Sequence, residues 1–192
     1  MISYFRPHLI FFLFSLTILF GRNYASFAGG FLRMGSSARS MAMGSGFTAE
    51  IDASFAAYHN PAAMVFLNKR QLGFSHHFLP LDRRFMAANL SAPLPPSASV
   101  GLAWVSAGVD KIDGRSIAGE HTQYLSTSED AFFISFAQKI LPWFSVGLNI
   151  KILNHQLPMN TMNIAGKGMG MDFGVFIHSE SGPNLAFMVQ DL

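Results

Sequence analysis

The chain has 192 residues, half of them hydrophobic and only 12% charged, where an average soluble domain carries about 25%. That excludes intrinsic disorder, which needs low hydrophobicity and high charge. Without Arg6 and Arg22, which fall in the leader, basic and acidic residues balance at 11 each, so no nucleic-acid partner is expected. The absence of cysteine excludes disulfides and thiolate metal sites.

Residues 1–28 read as a signal peptide. Arg6 and His8 precede the apolar run 9–20, and Ser26-Phe27-Ala28 offers a small-x-small cleavage site before Gly29. Asn23-Tyr24-Ala25 is a poorer alternative. As a helix the run would span about 18 Å, short of the about 30 Å of a bilayer's hydrocarbon, so cleavage is expected over anchoring.

Residues 29–68 do not alternate and are rich in small side chains, among them Gly35, Ser36, Ser37, Ala38, Ser40, Gly44, Ser45 and Gly46. Asp52 is placed to cap a short helix over residues 54–58, and Pro61 to begin another turn. Small residues allow close backbone packing, as a compact plug inside a pore requires. A periplasmic arm has the same composition.

Residues 69–192 follow a period of two. The segment 144–154 is the clearest: Phe144, Val146, Leu148, Ile150 and Ile152 share one face, and Ser145, Gly147, Asn149 and Lys151 the other. In 168–178, Met169, Met171, Phe173, Val175 and Ile177 oppose Gly168, Gly170, Asp172, Gly174 and His178, with Phe176 off pattern. Segment 131–139 alternates apart from Phe133, and 99–106 sets Val100, Leu102 and Trp104 against Ser99, Gly101 and Ala103. Weaker alternation marks 71–78, 84–91 and 184–191, which makes seven strands.

One face of each strand is apolar over a length that crosses a tilted bilayer, and the other carries small and polar residues. The expected fold is therefore all-β: an antiparallel transmembrane β-barrel with a small N-terminal plug containing short helical turns. Asn149, Lys151 and Asp172 are candidates for its lumen. Long connections are expected at 107–130 and 155–167 and short ones elsewhere, the sorting a barrel shows between its two ends. Asp110, Lys111, Asp113, Arg115, Glu120, His121, Glu129 and Asp130 would share the first long loop, and Arg83-Arg84 would sit at a membrane–water boundary. A secreted β-sandwich or surface adhesin also alternates and stands as the alternative.

A resemblance bears on the choice. Gly35-x-x-Ala38-Arg39, Met43-Gly44-x-Gly46-Phe47, Ile51-Asp52-Ala53-Ser54 and Tyr58-His59-Asn60-Pro61-Ala62 resemble the N-terminal signature of the PorV/PorQ family, which belongs with FadL-type transporters. The segment 185–192 is similar to a strand recurring midway through such proteins. Ile51 stands where the family has a first Asp, and Ala63 where it has Gly. The resemblance implies an outer-membrane barrel with an N-terminal hatch, Asp52, Asn60, Pro61 and Ala62 forming the hatch motif and Gly35, Gly44 and Gly46 its glycines. It also implies passage of hydrophobic compounds or a part in protein secretion to the cell surface. The expected partners are then outer-membrane lipid, with hydrophobic small molecules or secretion-machinery components.

No enzyme, metal or cofactor is expected. His76 and His77 are adjacent and would point to opposite faces of a strand, and the other histidines lack ligand spacing. Gly166-Lys167-Gly168 lacks the spacing of a phosphate loop, and no nucleophile elbow occurs. An odd count of seven strands leads to the expectation that residues 69–192 form the first half of a larger barrel.

Overall fold

The computed structural model describes residues 29–51, 54–159 and 162–192. The leader 1–28 and Asp52 lie outside the described residues. Seven strands form one antiparallel sheet in sequence order: β1 Gln71–Phe78, β2 Arg83–Leu94, β3 Ala98–Arg115, β4 His121–Leu141, β5 Phe144–Met159, β6 Met162–Ile177 and β7 Leu185–Val189. Each strand pairs with the next, and β1 and β7 form the two edges.

Two expectations need correction. Residues 107–130 and 155–167 are not long loops, because most of each is strand. β3 and β4 pair as far as Arg115 and His121, with bulges after Val109 and Gly114, and their connection shrinks to a turn that Ser116 N closes onto Glu120 O. β5 and β6 likewise pair out to Met159 and Met162. Backbone ladders do not require apolar side chains. Alternation of apolar residues therefore located one part of each of these strands and missed the continuation toward the far turn.

Apart from Glu120, which lies in the turn, the charged residues assigned to a loop are instead spread over these ladders. Asp110 pairs with Arg84 at 2.5 Å, Asp130 accepts from the Trp104 indole at 3.1 Å, and Glu129 lies 3.6 Å from His155. Because β2 pairs no further than Val109 and β5 no further than Ser128, residues 110–127 project as a two-stranded ribbon. Near its tip Asp113 meets His121 at 2.5 Å and Arg115 at 2.7 Å, and these two donors hold its carboxyl below the usual range.

The register lines the outward side chains into cross-strand rows. One row is Phe74, Ala88, Trp104, Phe132, Ile152 and Met169; the next is Leu72, Leu90, Leu102, Ile134, Ile150 and Met171. A third runs Ala92, Val100, Phe136, Leu148, Phe173 and Val189. Every strand exposes large apolar side chains on this face. The row towards the ribbon, His76, Met86, Ser106, Asp130, Asn154 and Lys167, is mostly polar.

The opposite face holds the N-terminal segment. It contains a 3-10 turn Gly30–Met34, helix α1 Ala38–Ala42, helix α2 Ala56–His59 and a 3-10 helix Pro61–Phe66. The Pro61–Phe66 helix touches β2, β3, β4, β5 and β6 at once, which a flat sheet would not allow, so the sheet curls around it into a half-barrel. The main core lies in this seam: Phe47, Phe55, Tyr58 and Met64 pack on Phe85, Val105 and Phe133. Phe133 and Phe176, the two aromatics that break the alternation, both face inward against this segment.

The short helices follow local rules. Ser37 and Ser40 form a reciprocal capping box that starts α1. Helix α2 begins at Ala56 instead of Ser54, with Phe55 at the N-cap and no side-chain cap. Pro61 disfavours helical geometry in the residue before it. Asn60 is accordingly extended (φ −159, ψ 106), which ends α2 and opens the next helix with proline in its first turn.

Candidate functional site

The seam between the N-terminal segment and the concave wall gathers most of the residues singled out in the sequence. Asn60 is buried and uses its amide in two directions. Its Oδ1 accepts from Ala62 N at 3.0 Å, capping the Pro61–Phe66 helix, while Nδ2 donates to Thr48 O at 3.1 Å and to Val175 O on β6 at 3.3 Å. Ala62 O in turn accepts from Ser145 on β5 at 2.7 Å. The Asn60-Pro61-Ala62 block thus holds the segment to two strands besides setting its turn.

The wall meets this block with glycines. A Cβ at Gly147 would overlap Ala62 N, and one at Gly174 would overlap Asn60 Oδ1. On β3, a Cβ at Gly101 would fall 2.7 Å from Met64 Sδ and 2.9 Å from Ala57 Cβ; on β1, one at Gly73 would lie 2.8 Å from Ser54 Cβ. Inward glycine on four strands lets backbone approach backbone. Periodicity placed Gly147 and Gly174 on the face opposite the apolar one, but nothing local marked them as contact points. Within the segment, Gly35 and Gly44 adopt left-handed φ of +89 and +61, while Gly46 takes no such conformation.

Further hydrogen bonds tie the segment to each side of the wall. Ser75 on β1 donates to Ser36 O at 2.5 Å, Asn89 on β2 to Ser54 O, and Asn149 on β5 to Ala57 O at 2.9 Å. Inside the segment the Tyr58 hydroxyl donates to Leu32 O, and its burial pushes the phenol pKa up. His59 Nε2 sits 2.8 Å from Ser36 Oγ, with its ring against Phe47 and Tyr58.

Burial lowers the His59 pKa from 6.5 to about 4. The folded state therefore favours the neutral ring, so this contribution is complete above pH 6.5 and is lost as pH falls towards about 4. Limited proteolysis of the segment should accelerate across that window, and His59→Gln should flatten the dependence. An identical pH profile in the two proteins would remove His59 as the cause.

The three lumen candidates do face the concave side, but beneath the segment instead of toward an open channel. Asn149 and Asp172 are fully buried. Lys151 Nζ lies 2.7 Å from Asp172 Oδ1 and 2.5 Å from Asp191 Oδ1, and Asp172 also accepts from Asp191 N at 3.1 Å and Asn149 Nδ2 at 3.4 Å. The cluster neutralises a buried cation and links the segment, through Asn149, to β5, β6 and the residues after β7. No group of three or more His, Cys, Asp or Glu suited to a metal occurs among the described residues.

Fold and seam together define a curled antiparallel sheet with a helical insert fixed on its concave face. No protein-family model matches the chain, and no curated protein does.

Proposed function

We propose that this chain forms the wall and hatch of an outer-membrane β-barrel of the PorV/PorQ, FadL-like kind. Its role is passage of hydrophobic compounds or a part in protein secretion at the cell surface. The observation carrying this reading is the outward face, where apolar rows run unbroken across the strands and a mostly polar row follows them. On β5 the apolar positions extend from Phe144 to Ile152. That is about 26 Å along the strand and about 20 Å along the normal at a tilt of about 40°, near the roughly 25 Å apolar band of such barrels. Trp104 and Trp143 stand at the two ends of this band, where amphipathic rings meet headgroups. In a bilayer the free edges of β1 and β6–β7 would need other strands against them, since no water is there to satisfy the backbone.

The ribbon 110–127 favours the secretion role. It stands clear of the paired sheet and presents Ile117 and Tyr124 to solvent, a surface suited to a protein partner.

Paired substitutions test the membrane reading. Leu148→Arg, in an apolar row, should destabilise protein folded in lipid by about 2–4 kcal/mol, whereas Asn154→Arg, in the polar row, should cost less than about 1 kcal/mol. Equal costs at the two positions, or quantitative recovery of the native protein without detergent, would support a soluble secreted β protein instead.

A further inference from the structure

Polar and apolar side chains are sorted by level within the seam. One inward row carries Ala87, Val105, Ala131 and Leu153 on β2 to β5, all apolar and packed in the same core as Phe55 and Tyr58, while its β1 member Ser75 is engaged by its hydrogen bond to Ser36 O. Toward the short turns the next three rows contain four buried polar atoms with no hydrogen-bond partner: Asn89 Oδ1, Ser135 Oγ, Asn149 Oδ1 and Ser99 Oγ, on four adjacent strands. A buried polar group left without a partner costs about 1–3 kcal/mol, so four together on one surface call for water. Beyond Ser99 the same side opens into a cavity of about 650 Å³ bordered by Ser97, Lys139 and His178. Across the apolar row lies a second cavity, of about 450 Å³, bordered by Arg83, Thr127, Glu129 and His155.

We propose that the seam is wet from the short-turn side up to this apolar row, and that the row is a dry collar forming the barrier between the two cavities. This deepens the barrel reading and rests on it. The closing element is then one layer of small and branched side chains and not the whole bulk of the hatch, and a narrow apolar constriction excludes water and ions by dewetting. Hatch and wall need not separate for the barrier to fail. A single polar side chain without a partner on the β2 to β5 stretch of the collar joins the two cavities.

The chain has no native cysteine, so each single-Cys variant carries one thiol. Silver ion, small and confined to water, is the probe, applied to the full chain purified in detergent. Ser99, Ser135, Val105 and Ala131 are all buried to nearly the same degree, at 0–2% exposure, so their rates compare hydration and not surface exposure. Ser99→Cys and Ser135→Cys should react about 100-fold faster than Val105→Cys and Ala131→Cys, because the thiolate forms only where water reaches. Rates within about threefold of one another would overturn the wet seam.

Adding Leu153→Ser should raise the rate at Ala131→Cys by about tenfold or more and leave Ser135→Cys unchanged. If Leu153→Ser fails to fold, Val105→Thr replaces it as the milder change. An unaltered Ala131→Cys rate in the folded variant would overturn the collar. These rates do not depend on a bilayer, so their failure is separate from failure of the Leu148 and Asn154 test.

Discussion

Lys151→Met should destabilise the protein by about 3–5 kcal/mol, the cost of removing one partner from a buried ion pair. Lys151 is 3% exposed and Asp172 fully buried, so the change would leave Asp172 with only the Asp191 N–H and the Asn149 amide as protein donors. The loss should appear as a lower denaturation midpoint with an unchanged slope. Lys151→Met combined with Asp172→Leu should recover most of the loss, since a well-packed apolar pair is often as stable as the ions it replaces. A cost below about 1 kcal/mol for the single change would show that the pair contributes little to holding β5, β6 and the residues after β7 together. The placement of Asn149 sets a related limit. With its amide bonded to Ala57 O, it is no site for a large cation, and Asn149→Arg should also damage the seam.

The reach of the sequence can be traced through the same residues. Alternation placed Leu148 outward and Asn149, Lys151 and Asp172 inward, because strand geometry alone fixes those faces. It could not join Lys151 to Asp172. That pair exists because β5 and β6 align Asn149 with Asp172, and register depends on the turn and on both strands together. Phe133 and Phe176 looked like flaws in the pattern, yet they are where the wall packs against the N-terminal segment, so a departure from alternation carried more information than agreement with it. The polar halves of β3 and β4 left no hydropathy signal, since there only the backbone defines the strand, and the ends of β5 and β6 mix polar and apolar residues without a clear alternation. Asn60-Pro61 was legible for the opposite reason. Its cap and φ restriction are local, and the same amide then extends to Val175, 115 residues away, which no local rule anticipates.

Substitution at the wall glycines should produce a graded series set by what each new Cβ meets. At Gly147 the obstacle is the backbone nitrogen of Ala62, which cannot turn aside without moving the Pro61–Phe66 helix. At Gly101 the obstacles are the Met64 sulfur and the Ala57 methyl, and the Met64 chain has rotamers to use. At Gly168 the neighbours are Leu153 atoms at 3.7 and 3.8 Å, ordinary contacts. Gly147→Ala should therefore cost at or above the upper end of the about 1–3 kcal/mol typical of overpacking, Gly101→Ala less, and Gly168→Ala close to nothing. Gly147→Val should unseat the segment altogether, because neither branch has space. The strand signal in circular dichroism should persist while protease cuts between Ser54 and Phe66, since the ladders do not depend on that helix. If Gly147→Ala and Gly168→Ala cost the same, the segment is not clamped to β5 by backbone contact. Its hold would then rest on the apolar core and on the side-chain hydrogen bonds of Asn60, Ser75, Asn89, Ser145 and Asn149.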